Sequence, residues 1–454
     1  MTKVQQLAEF VVRASFSDLS ADAVRELKIR ALDSLGCALG ALRGEPIIPI
    51  RRYLDRVGGN GLCTLVGGGR TAPDRAAFYN GALVRFLDFN DSYLAKGETC
   101  HPSDNLSAVL AASEYAGATG RDFLLALAVA YQVQCRLSDE APVRAKGFDH
   151  TTQGAYAAAA GVAKALRLDV ENTAHAIAIS GTAYNALRVT RTGKLSHWKG
   201  LAYPNTAFGA THAAFLALQG ITGPLEVFEG NKGFMESIAG IFEIDWSRED
   251  LERVTRTILK KYNAEIHSQS SIECLLELQR ETGFHAKDVR QITVDIFDVA
   301  YNIIGGGEEG SKVHVETKED ADHSLPYILA AALLDGQVMP PQYEVERIRR
   351  ADVQELLQKV VVRVDPDFSA AFPGAMPSRI SAYLDDGRIL RKEKRDYPGF
   401  VTSPLSWKAV IEKFDQLAAP HADGALRGEI ISAVDRLERA RVTDLIQLLE
   451  KARI

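Results

Sequence analysis

The stretch ADAVRELKIRALDSLGCALGAL, residues 21–42, indicates the fold class most clearly. Its apolar residues recur at spacings of three and four, which is the period of an α-helix with one apolar face. They are Val24, Leu27, Ala31, Leu35, Ala38 and Leu42. Ser20 precedes the run and can cap the helix, and Asp22 in the first turn suits the helix dipole. The stretch predicts a long amphipathic helix near the start of the chain.

The helical period continues outward over residues 1–258. Later segments, such as FLLALAVAYQVQ (123–134) and QGAYAAAAGVAKAL (153–166), are apolar all round and rich in alanine. All-round apolarity is typical of helices that are buried among other helices. Residues 1–258 are therefore predicted to be the first part of a large all-helical domain.

The pattern changes beyond residue 286. VRQITVDIFDVAYNII (289–304) and VVVRVDPDF (360–368) are rich in Val and Ile, as strands are, and RISAYLDDGRILRKEKRDY (379–397) resembles a hairpin. Helices are predicted at 270–282 and 324–335. The fold class is therefore mainly α. A smaller α/β (α+β) lid domain at 259–395 is inserted in the helical domain, to which residues 396–454 return.

Composition excludes several classes of function. The 454 residues carry 53 basic and 59 acidic side chains, a net charge of −6, so we expect no binding to nucleic acid or to anionic membranes. No stretch reaches the roughly 18–20 apolar residues that a membrane span needs. The N-terminus lacks the features of a secretory signal, which predicts a cytoplasmic protein.

The five cysteines are scattered, and none forms a C-x-x-C pair. This spacing argues against a disulfide framework, a zinc ribbon or an iron–sulfur cluster held by such a pair. No histidine or carboxylate spacing is typical of a metal site either. We therefore expect neither a metal nor a cofactor, and we expect the cysteines to be small buried residues.

The richest candidate segment for chemistry is FLDFNDSYLAKGETCHPSDN, residues 86–105. It places Asp88, Ser92 and His101 in one non-periodic stretch after a helix. An aspartate beside a histidine can hold the imidazole in one tautomer and let it exchange a proton. The alternative is a surface loop that caps the next helix.

Two further segments carry cations or a histidine at a special place. RVTRTGKLSHWKGLAYPNTAF (188–208) gathers Arg191, Lys194 and Lys199, a set that could bind a di- or tricarboxylate or could be a solvated basic turn. His150 stands just before an apolar helix, where an anion is favourable and where a capping histidine is equally plausible.

Taken in order, several segments resemble the MmgE/PrpD family. They are LDFND, HPSDN, KGFDH, LSHWKG, the K-x-Y of Lys260 to Tyr262 followed by AEIHSQ, and DHSLPYILAAALLDG. The family includes 2-methylcitrate dehydratase, cis-aconitate decarboxylase and iminodisuccinate epimerase. The resemblance implies a helical domain with an inserted lid, a homodimer, and a cofactor-free lyase or isomerase that acts on a small polycarboxylate.

The resemblance also implies roles for residues of this sequence. The expected catalytic residues are Asp88, His101, His150 and Tyr327, and the expected substrate-binding residues are Ser92, Arg191, Lys194, Lys199 and Lys260. His101, oriented by Asp88, is predicted to be one acid/base partner and His150 the other. Lys194 and Lys199 compete for one role, because LSHWKG stands where some members have K-P-x-H.

The function that the resemblance implies is the metal-independent dehydration of 2-methylcitrate to 2-methylaconitate, with hydration or dehydration of citrate and cis-aconitate as a related activity. HPSDN favours the dehydratase. The alternatives are a related decarboxylase or epimerase, or a non-catalytic protein that binds carboxylates.

Overall fold

The structure is a computed structural model that describes residues 1–193 and 195–453. It is mainly α-helical, and the chain divides into two compact units. The first, here called the helical unit, comprises Met1–Arg191, His197–Thr257 and Ser406–Ile454. The second, here called the mixed unit, comprises Thr192–Ser196 and Ile258–Leu405.

The helical unit begins with nine α-helices. They are α1 (Lys3–Arg13), α2 (Ala21–Gly40), α3 (Ile47–Val57), α4 (Pro73–Phe86), α5 (Leu106–Tyr115), α6 (Gly120–Glu140), α7 (Thr151–Ala165), α8 (Val170–Ala183) and α9 (Trp198–Leu218). The predicted helix at 21–42 is confirmed as α2, and the side chain of Ser20 accepts a hydrogen bond from the main-chain nitrogen of Ala23.

Small residues let the central helices of this unit approach closely. An ideal Cβ added at Gly154 of α7 would lie 2.5 Å from a ring carbon of Tyr203 on α9. One added at Gly161 would lie 2.9 Å from side-chain atoms of Ala130 and Val109. Since real side chains do not pack this closely, the glycines are needed where they stand. The alanine-rich segments therefore form the buried centre of the unit, as predicted.

The helical prediction is wrong for the end of the 1–258 segment. After Leu218 the chain runs to residue 257 without an α-helix in the part that the structure describes, and a five-residue π-helix at Met235–Ala239 is flanked by turns and short 3₁₀ helices. Gly and Pro at 220–224 end the helical pattern, and aromatic residues pack there instead. Phe228, for example, stacks on Tyr156 with ring centroids 4.7 Å apart.

Two small antiparallel hairpins also interrupt the helical unit. One pairs β1 (Cys63–Thr64) with β2 (Arg70–Thr71), and the other pairs β3 (Tyr93–Leu94) with β4 (Thr99–Cys100). The second hairpin lies within the segment 86–105, so that it brings the two ends of this segment together.

The described residues of the mixed unit form seven α-helices and one four-stranded sheet. The helices are α10 (Gln269–Thr282), α11 (Asp298–Ala300), α12 (Lys318–Ala321), α13 (Leu325–Asp335), α14 (Val345–Ile348), α15 (Ala351–Leu357) and α16 (Pro366–Ala371). The strands are β5 (Val289–Ile296), β6 (Val360–Val364), β7 (Ser378–Leu384) and β8 (Ile389–Lys394), in the order β6-β5-β7-β8. Only β5 and β6 run parallel. The chain then returns to the helical unit through α17 (Trp407–Ala418), α18 (Gly424–Asp435) and α19 (Val442–Glu450).

The predicted hairpin around Asp385–Gly387 is confirmed, since Tyr383 pairs with Ile389 across the turn. The two other predicted strands are shorter than expected. β5 ends at Ile296 and is followed by α11 and a π-helix at Tyr301–Gly305, and β6 ends at Val364, where Pro366 begins α16. Asp298 and Pro366 each stand in the first turn of a helix, where they favour helix over strand.

Two further expectations concern membrane-spanning helices and the cysteines. In the described part of the chain, no helix combines the length and apolarity that crossing a lipid bilayer would require. All five cysteines are buried thiols that form no disulfide, as expected of cysteines that act as small apolar residues.

Candidate functional site

The first predicted site residue, Asp88, lies in the helical unit just after α4. Its φ angle is +52°, in a left-handed region that residues other than glycine seldom adopt, although aspartate tolerates it better than most. Its main-chain nitrogen donates to the carbonyl of Arg85 at 3.0 Å. Such backbone strain persists where surrounding contacts impose it, and it is concentrated at functional sites.

His101 is buried, and its Nδ1 faces two oxygens. Nδ1 lies 2.7 Å from the main-chain oxygen of Asp91 and 3.1 Å from Oγ of Ser92. Because a carbonyl oxygen only accepts hydrogen bonds, Nδ1 carries the hydrogen. In the neutral imidazole the lone pair is then on Nε2, which can act as a general base. These Nδ1 contacts orient the ring through Asp91 and Ser92, and they make Ser92 a support of His101.

The carboxylate of Asp91 is itself held inside the protein. Oδ1 accepts hydrogen bonds from the main-chain nitrogen and from Oγ of Ser103, at 3.0 and 2.6 Å, and Oδ2 accepts one from the hydroxyl of Tyr131 at 2.8 Å. Burial raises the pKa of Asp91 to about 6, although these bonds and the charge of Arg30 act in the opposite direction. The carbonyl that binds His101 is therefore fixed by the buried side chain of the same residue.

His150 is the second buried histidine, and its ring meets His101 edge-on with centroids 5.4 Å apart. Its other side stacks on Tyr203 at 6.1 Å. Nδ1 lies 3.2 Å from Oδ1 of Asp149, and Nε2 lies 3.9 Å from Oδ2 of Asp104. In the part of the chain that the structure describes, Nε2 has no hydrogen-bond partner. Each nitrogen of His150 therefore faces a carboxylate.

Buried charges of alternating sign run from Lys199 to His150. Nζ of Lys199 lies 3.5 Å from Asp88, which accepts a hydrogen bond from Nη1 of Arg85 at 2.6 Å. Nε of Arg85 lies 3.7 Å from Asp104, which faces His150. Each buried charge is costly by itself, and its neighbours of opposite sign compensate for the loss of water. The series ends at His150, whose Nε2 faces the carboxylate of Asp104.

Asp149 extends the same series on the other side of His150. Its carboxylate accepts a hydrogen bond from Nε of Arg191 and another from Nη2 at 3.3 Å, and Nη1 of Arg188 lies 3.9 Å away. Burial would raise the pKa of Asp149, but Arg191, His150 and Arg188 outweigh it and hold the pKa far below its usual range. Arg191 thus binds a carboxylate of its own chain, whereas the sequence predicts that it binds substrate.

The mixed unit holds a separate buried cluster around Glu265. Oε1 of Glu265 lies 2.7 Å from Nδ1 of His267, and the charges of His267, His323 and Lys260 lower its pKa to about 2 against the opposing effect of burial. Nδ1 of His323 in turn lies 2.6 Å from Oδ1 of Asp322. Lys260, predicted to bind substrate, is completely buried, and its charge acts on Glu265.

Tyr327, predicted to be a catalytic acid, has its hydroxyl placed elsewhere in the mixed unit. The hydroxyl donates to the main-chain oxygen of Gln342. Burial raises its pKa, and the nearby charges that act on it belong to Arg347, Asp335 and Asp352. A buried phenol with a raised pKa, whose hydroxyl donates its hydrogen bond to a main-chain carbonyl, is a poor acid, and the observed contact is structural.

The helical unit thus brings together six predicted residues. They are Asp88, Ser92, His101, His150, Arg191 and Lys199. The mixed unit holds Lys260 and Tyr327, and Lys194 lies outside the described residues.

Two residues of the site, Arg85 and Asp149, are not predicted from the sequence. Arg85 lies within a regular helix, where no local pattern marks it. Asp149 precedes His150 in KGFDH, and this adjacency was the one signal that could have identified it.

Comparison with known proteins agrees with these motifs. Residues 5–247 match the model of the MmgE/PrpD N-terminal domain, and residues 262–439 match that of the MmgE/PrpD C-terminal domain. The 2-methylcitrate dehydratase of Salmonella typhimurium is 28% identical over 398 residues, which cover 81% of this chain and 80% of that protein.

Two other relatives cover more of the chain. The cis-aconitate decarboxylase of Mus musculus is 27% identical over 441 residues, 91% of this chain and 86% of that protein. An alkylcitrate dehydratase from a fungal species is 27% identical over 462 residues, 93% of this chain and 89% of that protein. Because the two family models together match well over half of the residues, the chain belongs to the MmgE/PrpD family.

Proposed function

We propose that the protein is a hydro-lyase that dehydrates 2-methylcitrate, or a closely related hydroxy-tricarboxylate, to the unsaturated acid. The observation that carries this proposal is the pairing of His101 and His150, two buried imidazoles 5.4 Å apart whose partners differ in charge. Elimination of water needs a base at one carbon and an acid at the departing hydroxyl, and the two histidines are suited to these different tasks.

The proposed reaction uses Nε2 of His101 as the base. It takes the proton α to a carboxylate, and the electron pair of the broken C–H bond becomes the new C=C bond. The C–O bond breaks as this bond forms, and the departing hydroxide takes a proton from His150 and leaves as water. Negative charge builds up on the substrate carboxylate during proton removal, and a nearby cation such as Lys199 stabilises it electrostatically.

Carboxylate binding is assigned in the proposal to Lys199 and Lys260, and Lys194 stays a candidate. Lys199 is almost completely buried, and a desolvated ammonium attracts an anion more strongly than an exposed one does. Arg191 and Ser92 are given supporting roles instead, because the first binds Asp149 and the second contacts His101. Tyr327 is likewise omitted as the acid, since its hydroxyl donates to the main-chain oxygen of Gln342.

The test is to offer 2-methylcitrate, citrate and cis-aconitate separately to chelator-treated protein and to analyse the products by proton NMR. The proposal expects an unsaturated tricarboxylate and water from the first acid. A His101→Gln variant is the control for activity from contaminants. Failure of wild-type protein to change any of the three acids would overturn the proposed reaction.

A second candidate is decarboxylation, since the cis-aconitate decarboxylase of Mus musculus matches 91% of this chain. Decarboxylation also ends with proton transfer to carbon, for which the same histidines are suited. The NMR experiment separates the two reactions, because a decarboxylase would convert cis-aconitate to a dicarboxylate and carbon dioxide. Interconversion of the enantiomers of an iminodicarboxylate would instead favour an epimerase.

The proposal includes the domain division 1–258, 259–395 and 396–454, with the middle part as a lid that responds to substrate, and a cytoplasmic homodimer. Limited proteolysis with and without 2-methylcitrate tests the lid, since closure is expected to slow cleavage within 259–395. Sedimentation equilibrium tests the dimer.

A further inference from the structure

The main chain places the basic segment Arg188–Arg191 directly beside the start of α7. The main-chain nitrogen of Asp149 donates to the carbonyl of Ala186 at 2.9 Å, and that of Arg188 donates to the carbonyl of Gly147, also at 2.9 Å. The arginines are therefore held next to Asp149 by backbone pairing, which does not depend on their side chains.

The carboxylate of Asp149 is completely buried, and each of its oxygens has partners. Arg191 donates to both oxygens, and the main-chain nitrogen of Thr151 donates to Oδ1 at 3.2 Å. Thr190 adds a longer bond to Oδ2 at 3.5 Å. With these donors around it, the carboxylate has one position, and in that position Oδ1 faces Nδ1 of His150.

His150 stands at the N-terminal end of α7, where the helix dipole disfavours a positive charge. The groups that face it from other elements are Asp104, Glu98, the ring of His101 and the ring of Tyr203. Burial raises the pKa of Glu98, which weakens its help. The negative charge of Asp104 is partly compensated by Arg85, whose Nε lies 3.7 Å away.

Asp149 is thus the nearest carboxylate to His150, at 3.2 Å from Nδ1. We propose that Asp149, held by Arg191, is the positioning residue of His150. Asp149 keeps the hydrogen on Nδ1 and holds the ring in one orientation. Its negative charge also offsets the unfavourable effect of the helix dipole on the protonated ring. Nε2 is then the atom that exchanges a proton. The assignment of that proton to a departing hydroxide rests on the proposed function. Arg191 acts on the reaction through Asp149 and His150 and not by binding substrate.

Kinetics separate this role from the binding role that the basic segment suggests. An arginine that grips a substrate carboxylate raises KM when it is shortened, whereas one that positions a catalytic group lowers kcat. We expect Arg191→Lys, which keeps the charge but loses the two-pronged geometry, to lower kcat several-fold with KM within about threefold of wild type. Asp149→Asn is expected to lower kcat by about 10- to 100-fold, as loss of a histidine's supporting carboxylate typically does.

Glu249→Gln is the matched control. Its carboxylate also binds an arginine in the helical unit, with Nε of Arg136 at 2.7 Å, and it touches neither histidine. Unchanged kcat in this variant is expected. A loss equal to that of Asp149→Asn would show that removing any ion pair lowers activity, and it would overturn the specific role.

The direct test does not require substrate. In ¹⁵N-detected NMR of wild-type protein, neutral His150 is expected to carry its hydrogen on Nδ1, and in Asp149→Asn its titration midpoint is expected to move to lower pH. A hydrogen on Nε2, or an unmoved midpoint, would overturn the proposal. If Asp149→Asn does not fold, the wild-type tautomer and the Arg191→Lys midpoint decide the matter.

The NMR experiment tests the positioning role and the turnover experiment tests the proposed function, so that either proposal can fail without the other. A protein that turns over no polycarboxylate but shows the Nδ1 hydrogen and the shifted midpoint would contradict the proposed function and keep the positioning role. Turnover of 2-methylcitrate with an Nε2 hydrogen on His150 would do the reverse.

Discussion

The two buried histidines of the candidate site, His101 and His150, are held by partners of different charge. His101 donates from Nδ1 to a neutral carbonyl, that of Asp91, whereas His150 points Nδ1 at the charged carboxylate of Asp149. The supporting aspartates differ in the same sense. Burial raises the pKa of Asp91 to about 6, while Arg191 and its neighbours hold that of Asp149 far below its usual range.

The proposed function uses this difference to give separate tasks to two side chains that are chemically identical. In that proposal, His101 with its neutral partner is the base, and His150 with its carboxylate partner is the group that gives a proton away. The sequence alone shows two histidines near acidic residues. It does not show which acid is neutralised by an arginine.

The largest effect is expected from removing His101, the proposed base. His101→Gln keeps a polar side chain of similar length but cannot take the proton, and we expect kcat to fall by about 10³-fold. His212→Gln is the control, because His212 is half exposed and its ring lies beside Asp74, at 3.7 Å, with no contact to either site histidine among the described residues. Steady-state turnover of 2-methylcitrate measures both. Wild-type turnover by His101→Gln would contradict the assignment.

Asp88 tests how much the buried charges of the site contribute to turnover. Asp88→Asn preserves a residue that tolerates positive φ, so the backbone should keep its shape, while the negative charge between Lys199 and Arg85 is lost. We expect turnover to fall by about 100-fold, with a Tm within a few degrees of wild type. A large fall in Tm with normal activity of the folded fraction would give Asp88 a structural role only.

The opposite pKa directions predict opposite pH dependence of stability. The pKa of Asp91 is about 6 in the folded state, above its unfolded value, so its stabilising contribution is complete below about pH 4 and is lost as the pH rises through 6. The pKa of Asp149 is lowered by folding, so its contribution is complete above about pH 5 and is lost as the pH falls.

Urea unfolding of wild type, Asp91→Asn and Asp149→Asn between about pH 4 and 7 measures these contributions. The stability advantage of wild type over Asp91→Asn should shrink as the pH rises, and its advantage over Asp149→Asn should not. Parallel pH curves for all three proteins would show that the two aspartates are alike.

Gly154 tests how packing places the ring beside His150. A methyl group at this position would press on Tyr203, whose hydroxyl is held by Asn105 at 2.8 Å. We expect Gly154→Ala to lower the free energy of unfolding by about 1–3 kcal/mol and to reduce kcat several-fold. Gly428→Ala, in exposed α18 with open space around the added methyl, should be neutral or stabilising. Equal effects of the two substitutions would show that the contact with Tyr203 is unimportant.

The smallest effect is expected at Ser92. Its Oγ shares Nδ1 of His101 with the carbonyl of Asp91, and the carbonyl is the closer acceptor at 2.7 Å. Ser92→Ala should therefore lower kcat by less than about tenfold and leave KM nearly unchanged. A large rise in KM would instead mean that Ser92 binds substrate, as the sequence first suggested.

How much of this could be predicted from the sequence depends on the range of the interactions. The helix at 21–42 and the hairpin around Asp385–Gly387 are local patterns, and both are present. The segment 86–105 was recognisable because its polar residues are close together along the chain. Arg85 and the clamp of Arg191 on Asp149 were not, since an arginine in a helix or a basic turn has no local mark of the carboxylate that it will meet after folding.

The most direct measurement is the protonation of the His101 ring itself. In ¹⁵N-detected NMR of selectively labelled wild-type protein, the neutral form of His101 is predicted to carry its hydrogen on Nδ1, bonded to the carbonyl of Asp91, with Nε2 as the bare nitrogen. A hydrogen on Nε2 at neutral pH would contradict the proposal that His101 is the base that starts the reaction.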